Sequence, residues 1–306
     1  MTSILQGFAI IAAVIAVGFV IGRVGLLGDA ARPVIARLVF FVLAPSLLFT
    51  IMSTADVGDL ASPLIAASAG ASVVAFAGYA LVARVLWQRS VADTVVGALG
   101  AGYVNANNIG LPVAAYVLGD AALVAPVILL QLLVVSPVAL TLLDVSTSGA
   151  VTVRRVLAQP VRNPIIVASA LGLVVAVTGL DVPAVVEEPL RLMGGGAVPL
   201  MLVAFGISLA GQRILEPGTQ RHDVALASVI KLVLMPATAY ALGRFALGLD
   251  GHDLFAVVAL AALPTAQNVF NYAQRYDAAE TIARDTIAVT TFGALPVMMA
   301  VGALLA

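Results

Sequence analysis

The chain has 306 residues, 62% of them hydrophobic and only 10% charged, with a mean hydropathy of +1.11. Soluble domains are about 45–50% apolar and about 25% charged, so a soluble enzyme or binding module is excluded and a polytopic membrane protein is expected. A formal net charge of -1 without any basic cluster gives no sign of nucleic-acid binding, and zero cysteines exclude disulfides and thiolate chemistry.

At about twenty residues per crossing, the apolar runs predict an all-α protein of ten transmembrane helices. They fall at about 4–22, 34–53, 62–86, 92–119 (interrupted), 122–143, 162–180, 189–211, 223–248, 253–275 (interrupted) and 280–304. The first run lacks the charged start and small-residue cleavage site of a signal peptide, so it reads as a retained helix. The polar stretch 144–159 divides the chain into a first repeat, 1–143, and a second, 160–306. The halves share short matches in the same order. Gly25-Leu26 aligns with Gly179-Leu180 and Ala44-Pro45-Ser46-Leu47 with Val198-Pro199-Leu200-Met201. Further on, Arg84 aligns with Arg244, Asn107-Asn108-Ile109 with Gln267-Asn268-Val269, and Pro137-Val138 with Pro296-Val297.

Five spans per repeat make the second half insert upside down, the inverted-repeat plan of many secondary transporters. With both termini outside, Arg23, Arg32, Arg37, Arg84, Arg89, Arg154, Arg155, Arg162, Arg213, Arg221, Arg275 and Arg284 fall at cytoplasmic ends. Asp56, Asp59, Asp120, Asp181, Glu187, Glu188, Asp250 and Asp253 fall outside, with Arg191 and Arg244 as exceptions. This follows the positive-inside rule, and the predicted location is a bacterial inner membrane.

The two interrupted spans carry the chemistry. The fourth holds Asn105, Asn107, Asn108, Gly110 and Pro112 in an apolar setting, and the ninth reads Pro264-Thr265-Ala266-Gln267-Asn268, followed by Asn271 and Gln274. Bare amides at membrane depth cost several kcal/mol (on the order of 2–7) unless satisfied. Pro112 removes a backbone donor. Pro264 ends one half-helix, and Thr265 is placed to cap the next. Two half-helix N-termini meeting at mid-membrane suit a small organic anion such as a carboxylate. Interhelical bridging is the structural alternative for single amides, but it does not explain two clusters at equivalent positions.

Elsewhere, Lys231 lies about 12 Å into the eighth span, too deep to snorkel easily. Charge compensation, proton coupling and pairing with an acid all remain open for it. Gln131 either faces the site or joins helices. Gly194-Gly195-Gly196 suits close packing, a dimer contact or a hinge. His222 and His252 are isolated, so no metal site and no cofactor are expected. No GxxxxGK loop, HExxH helix, paired acids or Ser–His pair suggests an ATPase or enzyme. An anion channel lacks its ring of charged pore residues. A sodium-coupled symporter would want more oxygen ligands at depth.

The Gly25-Leu26-Leu27 turn, Leu43-Ala-Pro-Ser-Leu-Leu-Phe49, Asn107-Asn-Ile-Gly-Leu-Pro112, Ala197-Val-Pro-Leu-Met201, Leu263-Pro-Thr-Ala-Gln-Asn-Val-Phe270 and Ala273-Gln-Arg-Tyr276 together resemble the auxin efflux carrier family. The resemblance covers nearly the whole chain. It implies crossed, interrupted helices four and nine at the substrate site. It also implies a scaffold of spans one, two, six and seven, a transport domain of the other six, elevator-like movement between them, and frequent dimers. Plant members export auxin, and bacterial members are associated with malate, malonate or related carboxylates. The short 144–159 connection resembles the compact bacterial form. The amide-rich run Asn105 to Asn108 departs from the pattern, leaving open which amide touches substrate.

Overall fold

The computed structural model describes residues 2–28, 30–54, 63–148, 163–210 and 220–305. Asp56, Asp59, Arg154, Arg155, Arg162, Arg213 and most of the 144–159 connection lie outside the described residues, as does the Arg32 side chain. The described residues are helical apart from turns and one isolated β-bridge. In chain order the helices are α1 (Thr2–Val24), α2 (Pro33–Ser53), α3 (Pro63–Leu86), α4 (Val91–Gly102), α5 (Ala106–Leu118) and α6 (Ala121–Thr147). Then follow α7 (Pro164–Thr178), α8 (Ala184–Ala210), α9 (Arg221–Ala246), α10 (Gly251–Ala261), α11 (Asn268–Tyr276) and α12 (Glu280–Leu305). Six of them, α2, α3, α6, α8, α9 and α12, are long and apolar enough to cross a membrane.

Proline shapes these helices without breaking them. Widened i→i+5 turns cover Val39–Leu43, Ala106–Gly110, Gln131–Val135 and Ile230–Leu234, and each ends two residues before Pro45, Pro112, Pro137 or Pro236. A proline lacks the N–H that an i→i−4 ladder needs, and the wider turn absorbs the mismatch. Pro112 therefore lies inside a continuous α5, and the interruption falls upstream of it, at 103–105. The sequence alone credits Pro112 with part of that interruption.

Matching local structure recurs along the chain. The α3 C-terminus bonds Trp87 N to Val82 O and Arg89 N to Ala83 O. The α9 C-terminus repeats the pattern with Leu247 N to Leu242 O and Leu249 N to Gly243 O. Gly25 and Gly179 both adopt positive φ, 70° and 65°, just after α1 and α7, a conformation that favours glycine.

Packing sorts the helices. α1 lies along the 197–210 half of α8 so closely that a Cβ on Gly206 would strike the backbone of Ile15 and Phe19. α7 and the start of α8 pack on the 44–53 half of α2, with Gly194 against the Leu47 backbone, the close packing that its glycine run suits. In a second group, α3, α4, α9, α10 and α12 pack on one another. At one end of this second group Asp223, fully buried, accepts from Arg89 Nε at 3.1 Å, Arg89 Nη2 at 2.6 Å and the Tyr79 hydroxyl at 3.2 Å. Outward positions such as Val17, Val74, Leu171, Val174 and Val233 are apolar and exposed, the surface a hydrocarbon solvent requires.

Candidate functional site

Both interruptions are short extended segments, and they pair with each other. Asn105 N donates to Pro264 O at 2.8 Å, and Ala266 N donates to Tyr103 O at 3.0 Å, forming an antiparallel bridge between Val104 and Thr265. Backbone groups freed by breaking two helices thus satisfy one another, which backbone at membrane depth must do. Two side chains extend the junction. Thr265 Oγ1 donates to Gly100 O at 2.6 Å, and Thr265 N donates to Thr290 Oγ1 at 3.1 Å. Thr265 therefore does not cap the following half-helix as its position beside Pro264 suggests. Gln267 stands at the N-cap of α11, without a side-chain capping bond.

α5 begins with a true cap. Asn105 Oδ1 accepts from Asn108 N at 3.2 Å, one of the four N–H groups that a helix start leaves unpaired. Behind the junction, Ser136 Oγ of α6 meets the Tyr103 hydroxyl at 3.0 Å and the Tyr272 hydroxyl at 3.1 Å. This ties α6 to both interruptions.

Beside the junction lies a cavity of about 460 Å³. The starts of α5 and α11 form one wall, through Asn105, Asn107, Asn108, Gln267, Asn268 and Asn271, with Tyr103 and Tyr272 behind. α6 adds Ile128, Gln131 and Leu132. The facing wall comes from α2 (Ala36, Arg37, Val39, Phe40, Phe41), the start of α7 (Asn163, Ile165) and α8 (Met201, Ala204, Phe205). Asn163 caps α7 by accepting from Ile165 N at 3.0 Å. Three helix N-termini consequently open onto one space, where the partial positive charge of unpaired N–H groups accumulates.

Three polar atoms of this lining are buried without a hydrogen-bond partner among the described residues: Asn105 Nδ2, Asn107 Oδ1 and Gln131 Oε1. Asn105 is 3% and Gln131 6% exposed. Such orphaned groups cost about 1–3 kcal/mol each, and a polar ligand in the cavity would relieve that cost. Among the described residues, no acid lines the space and Arg37 is the cation that does.

Of the residues singled out from sequence, Asn105, Asn107, Asn108, Gln131, Gln267, Asn268 and Asn271 share this lining. Pro112, Pro264, Thr265, Gln274 and Lys231 do not. Pro264 and Thr265 sit in the bridge beneath it, fully packed. Lys231 is 0% exposed and donates to Ala261 O at 2.6 Å, with Met235 Sδ at 3.2 Å, so it neither snorkels nor pairs with an acid among the described residues. Asp93 meets Ser90, and Arg284 meets Asp285. Arg37, Asn163, Tyr103 and Tyr272 join the lining without being among the site residues singled out from sequence. The Asn163-Pro164 cap before an apolar run was a visible signal for one of them.

Comparison with known proteins finds a family and several relatives. A family model described as "Membrane transport protein" matches residues 3–301. A "Putative malonate transporter" of Rhizobium meliloti (strain 1021) is 28% identical over 267 residues, 83% of this chain and 80% of its own. A "Probable auxin efflux carrier component 5b" of Oryza sativa subsp. japonica is 32% identical over 152 residues, 48% of this chain and 40% of its own. An "Uncharacterized transporter" of Methanothermobacter thermautotrophicus is 26% identical over 262 residues, 81% of each chain. The chain is thus an integral, multi-pass membrane transporter rather than an enzyme, and it belongs to the membrane transport protein family that includes the auxin efflux carriers.

Proposed function

We propose that this chain is a secondary carrier of small organic anions, carboxylates in particular, and that the cavity beside the paired interruptions is its substrate site. One observation carries the reading. Two half-helix N-termini and one orphaned amide donor, Asn105 Nδ2, line a single cavity with no acid among its described lining residues. Unpaired N–H groups and amide donors bind a carboxylate without a buried counter-cation. The relative named for malonate supports the same substrate class. Asn105, Asn107, Asn108, Gln131, Gln267, Asn268 and Asn271 are the proposed contacts; Pro112, Pro264 and Thr265 hold the backbone that presents them.

In this reading the chain crosses the membrane ten times, α4–α5 and α10–α11 each counting as one interrupted crossing. The halves are inverted repeats, which the recurring turns after α3 and α9 favour. The mutually packed α1, α2, α7 and α8 form the scaffold, and the remaining helices form a transport domain that moves past it in an elevator-like cycle. The cavity lies between these groups, where such a movement would alternately open and close it. The scaffold joins two copies in a homodimer, the termini face outward, and the location is a bacterial inner membrane.

Substrate counterflow in proteoliposomes tests the function. Vesicles preloaded with unlabelled malonate or a related carboxylate should transiently concentrate the labelled compound, with saturation. A channel gives no counterflow, and failure of every small carboxylate to produce it would overturn the assignment.

A further inference from the structure

Among the fully buried polar side chains of the described residues is a lysine outside the cavity lining. Lys231 has a fully buried side chain, and the first interaction of its Nζ is with Ala261 O at 2.6 Å. Ala261 is the last residue of α10, the half-helix that ends at the second interruption. The last carbonyls of a helix have no partner of their own and carry its negative dipole end. Where broken helices end at membrane depth, these carbonyls are the groups that hold sodium ions or protons in ion-coupled carriers.

The first interruption ends in the same way but with a different donor. Gly100 O, near the end of α4, accepts from Thr265 Oγ1 at 2.6 Å. At each interruption, then, a carbonyl of the terminal turn is taken by a donor from the protein itself. Of the four acids on elements packed around 230–234, Glu280 is the first residue of α12 and the other three are engaged elsewhere. Asp223 is held by Arg89 and Tyr79, Asp93 by Ser90, and Asp285 by Arg284. Among the described residues no carboxylate is left near Lys231 to complete a metal-ion shell.

We infer that the Lys231 amino group permanently occupies the position at the end of α10 where an ion-coupled carrier would bind its monovalent cation, so this carrier works without sodium. A tethered donor satisfies Ala261 O in every state of the cycle. An exchangeable ion would be gained and lost with each turnover. Deleting the amino group should leave an empty, cation-accepting pocket at a helix C-terminus.

The first arm of the test uses the purified protein in detergent and needs no substrate, so it stands apart from the carrier reading. Melting temperature is measured in sodium chloride and in choline chloride at equal ionic strength, with and without ethylammonium. Wild type should melt alike in all of them. Lys231→Ala should melt lower and be raised by ethylammonium or sodium, but not by choline. Lys231→Met, which fills the space with an apolar chain, should melt lower and gain nothing from either cation. The second arm rests on the carrier reading: wild-type counterflow of labelled malonate should proceed at the same rate in sodium and in choline. Stabilisation of wild type by sodium, sodium-driven counterflow, or a Lys231→Ala variant indifferent to both small cations would overturn the inference. If Lys231→Ala cannot be purified, the wild-type sodium response and Lys231→Met still decide it. Failure of counterflow alone would count against the carrier reading instead.

Discussion

Asn105 does two things that substitution can separate. Its Oδ1 caps α5 by accepting from Asn108 N, while its Nδ2 has no partner among the described residues and lines the cavity. Asn105→Ala removes both. Losing an N-cap costs about 1 kcal/mol of stability. Losing one hydrogen bond to a charged ligand costs about 1.5–3 kcal/mol, or roughly 10- to 100-fold in affinity. Asn105→Asp keeps a carboxylate oxygen where the cap needs one, and helix N-termini favour negative charge. Its stability should therefore stay close to that of wild type. Its ligand, however, would meet a like charge at about 4 Å in place of a donor. At an effective dielectric of about 20 that repulsion is about 4 kcal/mol, on the order of 1,000-fold. Thermal unfolding in detergent reads the cap, and calorimetric titration with malonate reads the site. The expected order of stability is wild type close to Asp, then Ala; the expected order of affinity is wild type, then Ala, then Asp. An Asp variant that binds carboxylates within about threefold of wild type would refute the reasoning, since the estimated repulsion could not then act at that position.

Thr265→Val should lower stability by about 1–3 kcal/mol by stranding Gly100 O where water cannot reach it, whereas Thr265→Ser should retain most of it; melting curves separate the two. Asp223→Asn removes the charge that Arg89 and Tyr79 share between the ends of α3 and α9. Because the Arg89 side chain is 32% exposed, solvent screening limits the loss to about 1–2 kcal/mol, again read from melting. Arg37→Gln removes the only charge among the described residues of the cavity lining. It should weaken a dianion such as malonate more than the monoanion acetate, and the difference should shrink as salt is raised; equal effects on both anions would show that Arg37 does not sense the second charge.

Several elements were readable in advance for physical reasons. Amides and prolines inside apolar runs marked both interruptions, because hydrocarbon tolerates neither without compensation. The glycines closing α1 and α7 were visible as Gly25 and Gly179. The position of the first interruption was not, because Pro112 suggests a break where a widened turn accommodates it. Thr265 looked like a cap by local spacing, but its hydroxyl is claimed by Gly100, 165 residues earlier. Lys231 could be judged deep but not matched to Ala261. Arg37 read as an ordinary cytoplasmic charge, since only the packing of α2 against the interruptions brings it to the cavity. Local chemistry announces itself in sequence, while partners brought together by tertiary packing do not.

The natural absence of cysteine makes the central claim directly measurable. Asn271 lies on the cavity wall one turn beyond Asn268, so Asn271→Cys places a single thiol there. Labelling by a small water-soluble maleimide in proteoliposomes should slow several-fold when malonate, or whichever carboxylate supports counterflow, is added at saturation. It should recover as the ligand is diluted, and a cysteine on the lipid-facing side, Val174→Cys, should show no such change. A labelling rate at position 271 that is unaffected by a carboxylate the protein demonstrably carries would contradict the assignment of the cavity as the substrate site.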